Sequence, residues 1–538
     1  SMFGALELTN QELLNYRGYD YTGNKLDKGV TFNDFFTSRD ADGVRDFPVA
    51  ALQPLYQAAY IKDKFQFKDM IFSLGLRVER FDLNTKTLKD PYSLYEIMDA
   101  DEYFRTVPSA GERPAGIEDD YKVYVKSQSD LAPKAYRKGD VWYSPDGTQQ
   151  NDANLIFGTS PVVPLLRDTI SGDNILDQRF DPNTSFKDYE PQVNWMPRLA
   201  FSFPISDNAN FFAHYDVLVQ RPPSNWEVTP LNYVYFYTNS RTPENNANLK
   251  PERVVDYEMG FKQKLNNFSA ITFSAYYKEL RDMLQLRTIL YVPTIGRYDS
   301  FGNVDFGTVK GFTFVYDLRR IQNFEARLAY TLQFADGTGS NAESQRGLTR
   351  FGNIRTLYPL DFDERHNISS ILDYRFASGK QYNGPRIAGK DVLANFGVNM
   401  QVTAASGRPY TAKDLAQRFG AKGTAGAING SRLPWRATVD LRVDKSFNIA
   451  PKGTKNDLFL NVYFRVTNLL DRRNVVNVYG YTGSPTDDGY LATQEGQSVL
   501  KGAAAQQQAY LSSYSWALLD PNNFTQPRRM YIGASFAF

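Results

Sequence analysis

The sequence holds little for metal or nucleophile chemistry: two histidines, His214 and His366, and no cysteine. Without cysteine there are no disulfides, thiolate metal sites or thiol nucleophile. Neither histidine has a second ligand at metal spacing, and a lone histidine is more often a hydrogen-bonded structural residue. The nucleophile-elbow, Walker A and dinucleotide glycine patterns are missing as well. No enzymatic reaction, metal or cofactor is therefore expected. Two oxygen-rich segments, Asp487–Asp488 in SPTDDGY and ADGTGSN over 335–341, have the donors for Ca²⁺ but not the EF-hand spacing. The same residue types make turns without any ion.

Aromatic residues offer a different chemistry. Residues 223–237 carry Trp226, Tyr233, Tyr235 and Tyr237, and residues 510–516 carry Tyr510, Tyr514 and Trp516. Rings with a polar tip suit sugars, peptides or flat chelates. They serve equally well in an interfacial girdle, or in loops packed on themselves.

The positioning elements are legible from composition and period. Lys and Arg number 61 against 60 Asp and Glu, which argues against a nucleic-acid partner. A mean hydropathy of −0.47 and the absence of a long apolar run exclude transmembrane helices. They do not exclude transmembrane strands, which alternate their faces and barely move a hydropathy average. The N-terminal SMFGALELTNQELLNYRGYDY lacks a basic and then apolar leader pattern, so an exported protein is expected here as a mature form or a fragment.

Period-two alternation dominates. Ala437, Val439, Leu441 and Val443 oppose Thr438, Asp440, Arg442 and Asp444; Phe324, Ala326, Leu328 and Tyr330 oppose Glu325 and Arg327. The pattern predicts strands near 52–64, 67–82, 193–205, 209–221, 253–265, 269–289, 304–320, 324–337, 365–378, 394–410, 437–449, 456–470 and 529–538. A further strand is possible at 2–8, and 92–104 reads as a short helix within a loop. Many of these strands exceed the roughly five or six residues of globular strands and reach the nine to eleven or so that cross a bilayer. The connections alternate long and short: 83–192, 222–252, 338–364, 411–436 and 471–528 are long, whereas 206–208, 266–268, 321–323 and 450–455 are short. That asymmetry belongs to a transmembrane barrel with short periplasmic turns and long extracellular loops.

Several segments resemble one family. NANLKPERVVDYEMGF (Asn246 to Phe261), FSAYYKELRDML, SGRPYT (Ser406 to Thr411) and VYFRVTNLLDRRNVVNVY (Val462 to Tyr479) are similar, in this order, to strands of TonB-dependent outer-membrane receptors. NVVNVYGYTGSPTDDGYL is closest to receptors of Bacteroidetes-type bacteria. The ending RRMYIGASFAF, with Phe536 and Phe538 on one face, resembles the signal read by the barrel assembly machinery. The expected fold is all-β: a transmembrane antiparallel β-barrel with about 13–14 strands in this chain, part of a barrel of about 22.

The resemblance implies nutrient import (chelate, glycan or peptide) with ligand held between outer loops and a plug that the TonB complex pulls. His214, Glu258, Lys262, Arg327, Asp440, Arg442 and Arg465 would face the lumen and line the plug interface. Nothing in the sequence resembles a plug or a TonB box, and about nine strands of the family barrel are unaccounted for. Residues 1–51 are therefore expected in an extracellular loop segment, and 52–538 as the C-terminal part of the barrel. The missing plug and first strands are expected as a separate polypeptide or as a further part of the same protein, alongside the lipid bilayer and a surface lipoprotein as further partners. Two alternatives stand beside this reading: a self-contained 14-stranded porin or structural barrel, with pairing of first and last strands as the discriminator, and a soluble β-rich protein.

Overall fold

The computed structural model describes residues 17–537 apart from 152, 158–160, 169–174, 176, 178, 239–244, 293–295, 347–355 and 451–457. The possible strand at 2–8, Phe538 and most of the 450–455 turn lie outside the described residues. The alternating segments form β1 (Leu55–Phe67), β2 (Met70–Asp82), β3 (Gln192–Ser206), β4 (Ala209–Gln220), β5 (Glu252–Lys264), β6 (Ser269–Val292) and β7 (Gly296–Ile321). The path continues with β8 (Phe324–Gly337), β9 (His366–Arg375), β10 (Phe396–Ala405), β11 (Arg436–Asn448), β12 (Phe459–Thr467) and β13 (Arg529–Ala537). All thirteen pair in chain order in one antiparallel sheet, with Tyr358–Pro359 added beside β8. Tight turns close the short-loop end; Lys68 and Gln322 adopt φ of +53° and +54° to make them.

Two faces follow from the period. On one, large apolar side chains stand exposed: Met259 at 60%, Ile532 at 82% and Phe536 at 64%. A soluble sandwich would bury this face under a second layer; here it is left bare, as a wall facing lipid is. The other face is polar, and rings lie flat where a strand carries glycine. A Cβ at Gly311 would stand 2.3 Å from the Leu332 carbonyl oxygen and 2.6 Å from the Tyr276 hydroxyl. Gly311→Val is expected to cost roughly 1–3 kcal/mol by overpacking, read as a lower melting midpoint in detergent.

The long-loop end differs from the expectation of loops alone. Residues 83–192 fold into a five-stranded sheet (Lys122–Ser127, Asp130–Lys138, Val141–Tyr143, Gln149–Gln150 and Val163–Pro164). Its helix is Ala100–Thr106 rather than 92–104; in place of a helix, backbone bridges at Asp90↔Ser93, Ile97↔Leu166 and Asp99↔Lys122 hold the residues before it. Strands β6 and β7 run on past the bilayer-spanning length, with Leu286 opposite Phe301 and Ile289 opposite Tyr298. Their tips join one apolar core with Phe32, Phe35 and Phe36, Tyr92, Tyr124 and Trp142, and Leu231 and Val234. Four separate stretches of sequence thus share a single hydrophobic cluster. The described helices include none long and apolar enough to cross a membrane.

Candidate functional site

The register assigns each charged side chain of the wall to a face. His214 pairs with Glu258, Asn210 with Lys262, and Arg327 with Asp317. Gln401 pairs with Asp440, and Asn399 with Arg442, which in turn faces Arg465. Followed from strand to strand, these pairs put His214, Glu258, Lys262, Arg327, Asp440, Arg442 and Arg465 on the polar face. Contacts between them are local. His214 Nε2 lies 3.7 Å from Glu258, Arg327 lies 3.7 Å from Asp317, and Asp440 accepts the Asn468 backbone N–H at 2.9 Å. Arg442 stacks 4.4 Å over the Tyr463 ring.

Near the short-loop end the same face carries a denser network, which the alternation pattern alone did not single out. Arg375 donates twice to Asp444, at 2.8 and 3.0 Å, and Asn461 donates to Asp444 at 3.0 Å. Arg320 bridges Glu325 and Asp373. Removing one partner of a shielded pair leaves the other charge uncompensated. Asp444 is only 6% exposed, so Arg375→Ala is expected to lower the melting midpoint clearly more than Arg327→Ala, whose pair is 3.7 Å apart and open to water.

The aromatic candidates divide by environment. Trp226 packs edge-on against Phe81 and donates its indole N–H to the Pro222 carbonyl at 2.8 Å. Tyr233 sits between Phe32 and Phe186. The Tyr235 and Tyr237 side chains lie outside what the structure describes. Tyr510 and Phe419 stack on Tyr514, which is buried. Trp516 stands 77% exposed. Loop packing thus occupies the faces of Trp226, Tyr233 and Tyr514, and of this group Trp516 offers the most open ring.

Asp488, one of the two acids with calcium-type donors, is 1% exposed. It accepts the Tyr514 hydroxyl at 2.5 Å and the Phe419 and Tyr490 backbone N–H groups at 2.8 and 3.0 Å. Burial, and then the carboxylate itself, push the Tyr514 hydroxyl well above the usual tyrosine range. The two therefore latch the helical region Gln494–Leu518 to the loop bearing Phe419. Tyr514→Phe strands part of a buried carboxylate and should cost about 1–3 kcal/mol locally, seen as faster amide exchange over 411–436 and 494–518. His366, the second histidine, is held by the Tyr330 hydroxyl at 2.9 Å and stacks on Trp435 at 5.6 Å. Among the described residues no group of His, Asp and Glu is arranged to hold a metal.

A long-stranded antiparallel sheet, apolar and bare outside and polar within, with its loops massed at one end, defines a transmembrane β-barrel protein. The sequence matches the family described as TonB dependent receptor-like, beta-barrel, over residues 2–469, and the chain belongs to that family. It is accordingly an outer-membrane protein. No curated protein matches the sequence.

Solved structures similar to it include the ferric-catecholate import receptor Fiu of Escherichia coli K12, at 14% identity and a TM-score of 0.39 over 80% of this chain and 42% of that one. The FrpB iron transporter of Neisseria meningitidis is similar at 11% identity and a TM-score of 0.39, over 83% and 46%. The hemophore receptor HasR of Serratia marcescens, solved as a double mutant with its hemophore HasA and heme, gives 14% identity and a TM-score of 0.39 over 79% and 50%. The chain spans half the length of these structures or less.

Proposed function

We propose that the chain forms wall and outer loops of an energy-coupled importer of the Bacteroidetes type, carrying a chelate, glycan or peptide across the outer membrane. The observation that supports this most is the pair of free sheet edges. Among the described residues nothing pairs with the outer edge of β1 or of β13, and these two strands do not pair with each other. Open backbone edges are not tolerated in lipid, where each unpaired group costs several kcal/mol. In this reading further strands close the wall, and a polypeptide filling the lumen answers its charged face.

In this reading the long-loop end faces outside, and Trp516 with the massed loops meets the nutrient. A plug is the element on which the TonB complex acts, and a surface lipoprotein is a further partner over the loops. Phe536 and Phe538 present the assembly signal. The test is deletion of the coding segment in the producing bacterium, with growth on single nutrients compared in TonB-competent and TonB-deficient strains. The expected result is loss of growth on one nutrient class, matched by TonB deficiency. A large, stable, TonB-independent conductance from the purified chain alone in planar bilayers would instead establish a self-contained pore.

A further inference from the structure

The polar face of β1–β4 holds a concavity of about 650 Å³, lined among others by Lys62, Gly75, Arg77, Arg198, His214 and Asp216. Its floor is a glycine. Gly75 pairs with Lys62 on one side and with Arg198 on the other, so two cations flank a residue with no side chain. Adjacent strands lie about 4.8 Å apart, which puts the two Cα atoms about 10 Å from each other across Gly75. Long side chains starting there on one face can converge on a single group above the glycine.

Charge in the concavity is not balanced by its own lining. Arg77 is committed to Glu79 at 2.7 Å. Lys62 and Arg198 have no ion pair within 4.0 Å among the described residues, although Asp216 lies directly across from Arg198 in the register. Both side chains are exposed, so their mutual repulsion is weak, and an anion between them gains charge-assisted hydrogen bonds from both.

We propose that this basin binds a carboxylate or small oxyanion between Lys62 and Arg198, over Gly75. The planar guanidinium offers two parallel donors and the ammonium a third, which matches the oxygens of a carboxylate or phosphate. The anion is either a free solute in the lumen or an Asp or Glu of a companion polypeptide. The site stands on this geometry and not on the transport reading, so its failure leaves the growth test untouched.

The protein purified from outer membranes in detergent, with whatever accompanies it, is trace-labelled with acetic anhydride at constant ionic strength, in chloride and in inorganic phosphate. A bound anion engages the Lys62 ammonium, which slows its acetylation about tenfold, while exposed Lys264 labels equally in both. Arg198→Gln and Gly75→Leu should each abolish the difference. At Gly75 a Cβ meets only ordinary contacts at 3.7 Å and beyond, so the leucine fills the basin without straining the strand. Carbodiimide coupling separates the two sources. The Lys62 amine attacks an activated carboxylate, an amide forms, and the reagent leaves as its urea. An amide joining Lys62 to a companion polypeptide identifies a protein carboxylate; protection by phosphate without such a link identifies a free anion. Equal labelling in both salts with no amide, protection that survives both substitutions, or an amide to Asp216 of this chain each overturns the proposal.

Discussion

Leu328→Arg should destabilise the barrel by about 2–4 kcal/mol, whereas Ala329→Arg, one residue along, should cost about 1 kcal/mol or less. Leu328 lies on the apolar face, 43% exposed, five residues from the tight turn at Asn323. Each residue of a tilted strand advances roughly 2–2.5 Å along the membrane normal, which places Leu328 near the bilayer centre. A guanidinium placed there would have to leave lipid or distort it. Ala329 points the other way, opposite Val315 and Ser369, where an added cation meets water and the polar wall. Melting midpoints in detergent of each variant, purified from outer membranes with whatever accompanies it, measure the difference. Equal costs for both substitutions would mean that the faces have been assigned wrongly, and every lumen assignment would fall with them.

The second large effect sits outside the membrane. Arg137 is 3% exposed within the five-stranded sheet. Its guanidinium bonds the Asp90 carboxylate, the Tyr124 hydroxyl at 2.9 Å and the Gly139 carbonyl at 2.8 Å, and stacks 4.3 Å from the Tyr92 ring. Tyr92 donates to Asp140, which takes Arg287 of the β6–β7 hairpin at 3.0 Å. This chain of contacts ties the folded 83–192 insertion to the wall. Arg137→Ala removes every one of these side-chain contacts and leaves Asp90 shielded without its cation, at an expected cost of about 3–5 kcal/mol. Limited proteolysis should then cut within 83–192 while the wall stays intact. Arg137→Lys should recover only part, because an ammonium cannot reproduce the planar fork and the stacking. Unchanged protease resistance in Arg137→Ala would remove this residue as the tie.

What could be read in the one-dimensional sequence is what depends on period two. Alternation along Phe324–Phe334 or Ala437–Asp444 states which side chains share a face, because a strand has no freedom to present them otherwise. The thirteen strand positions, though not the full reach of β6 and β7, and the shared phase of the seven polar-face residues from His214 to Arg465 were accessible that way. Lys62 and Arg198 were equally accessible by phase. Their meeting over Gly75 was not, since it depends on the stagger between three strands, and a shift of one residue would move them to the other face.

Only the tertiary structure decided the long-loop end. The stretch 290–303, a connection between the strands expected at 269–289 and 304–320, contains Pro293, Gly296 and Gly302, yet most of it extends β6 and β7 because Ile289, Val292 and Tyr298 are buried in one cluster with Phe32, Tyr92 and Trp142. Those partners come from segments far apart in the chain, and no local pattern announces such a meeting. The fate of the aromatic residues has the same cause. Trp226, Tyr233 and Tyr514 were recognisable as rings suited to ligands; whether a ring meets solvent or another ring is settled by what packs against it, and only Trp516 among those described emerged largely bare.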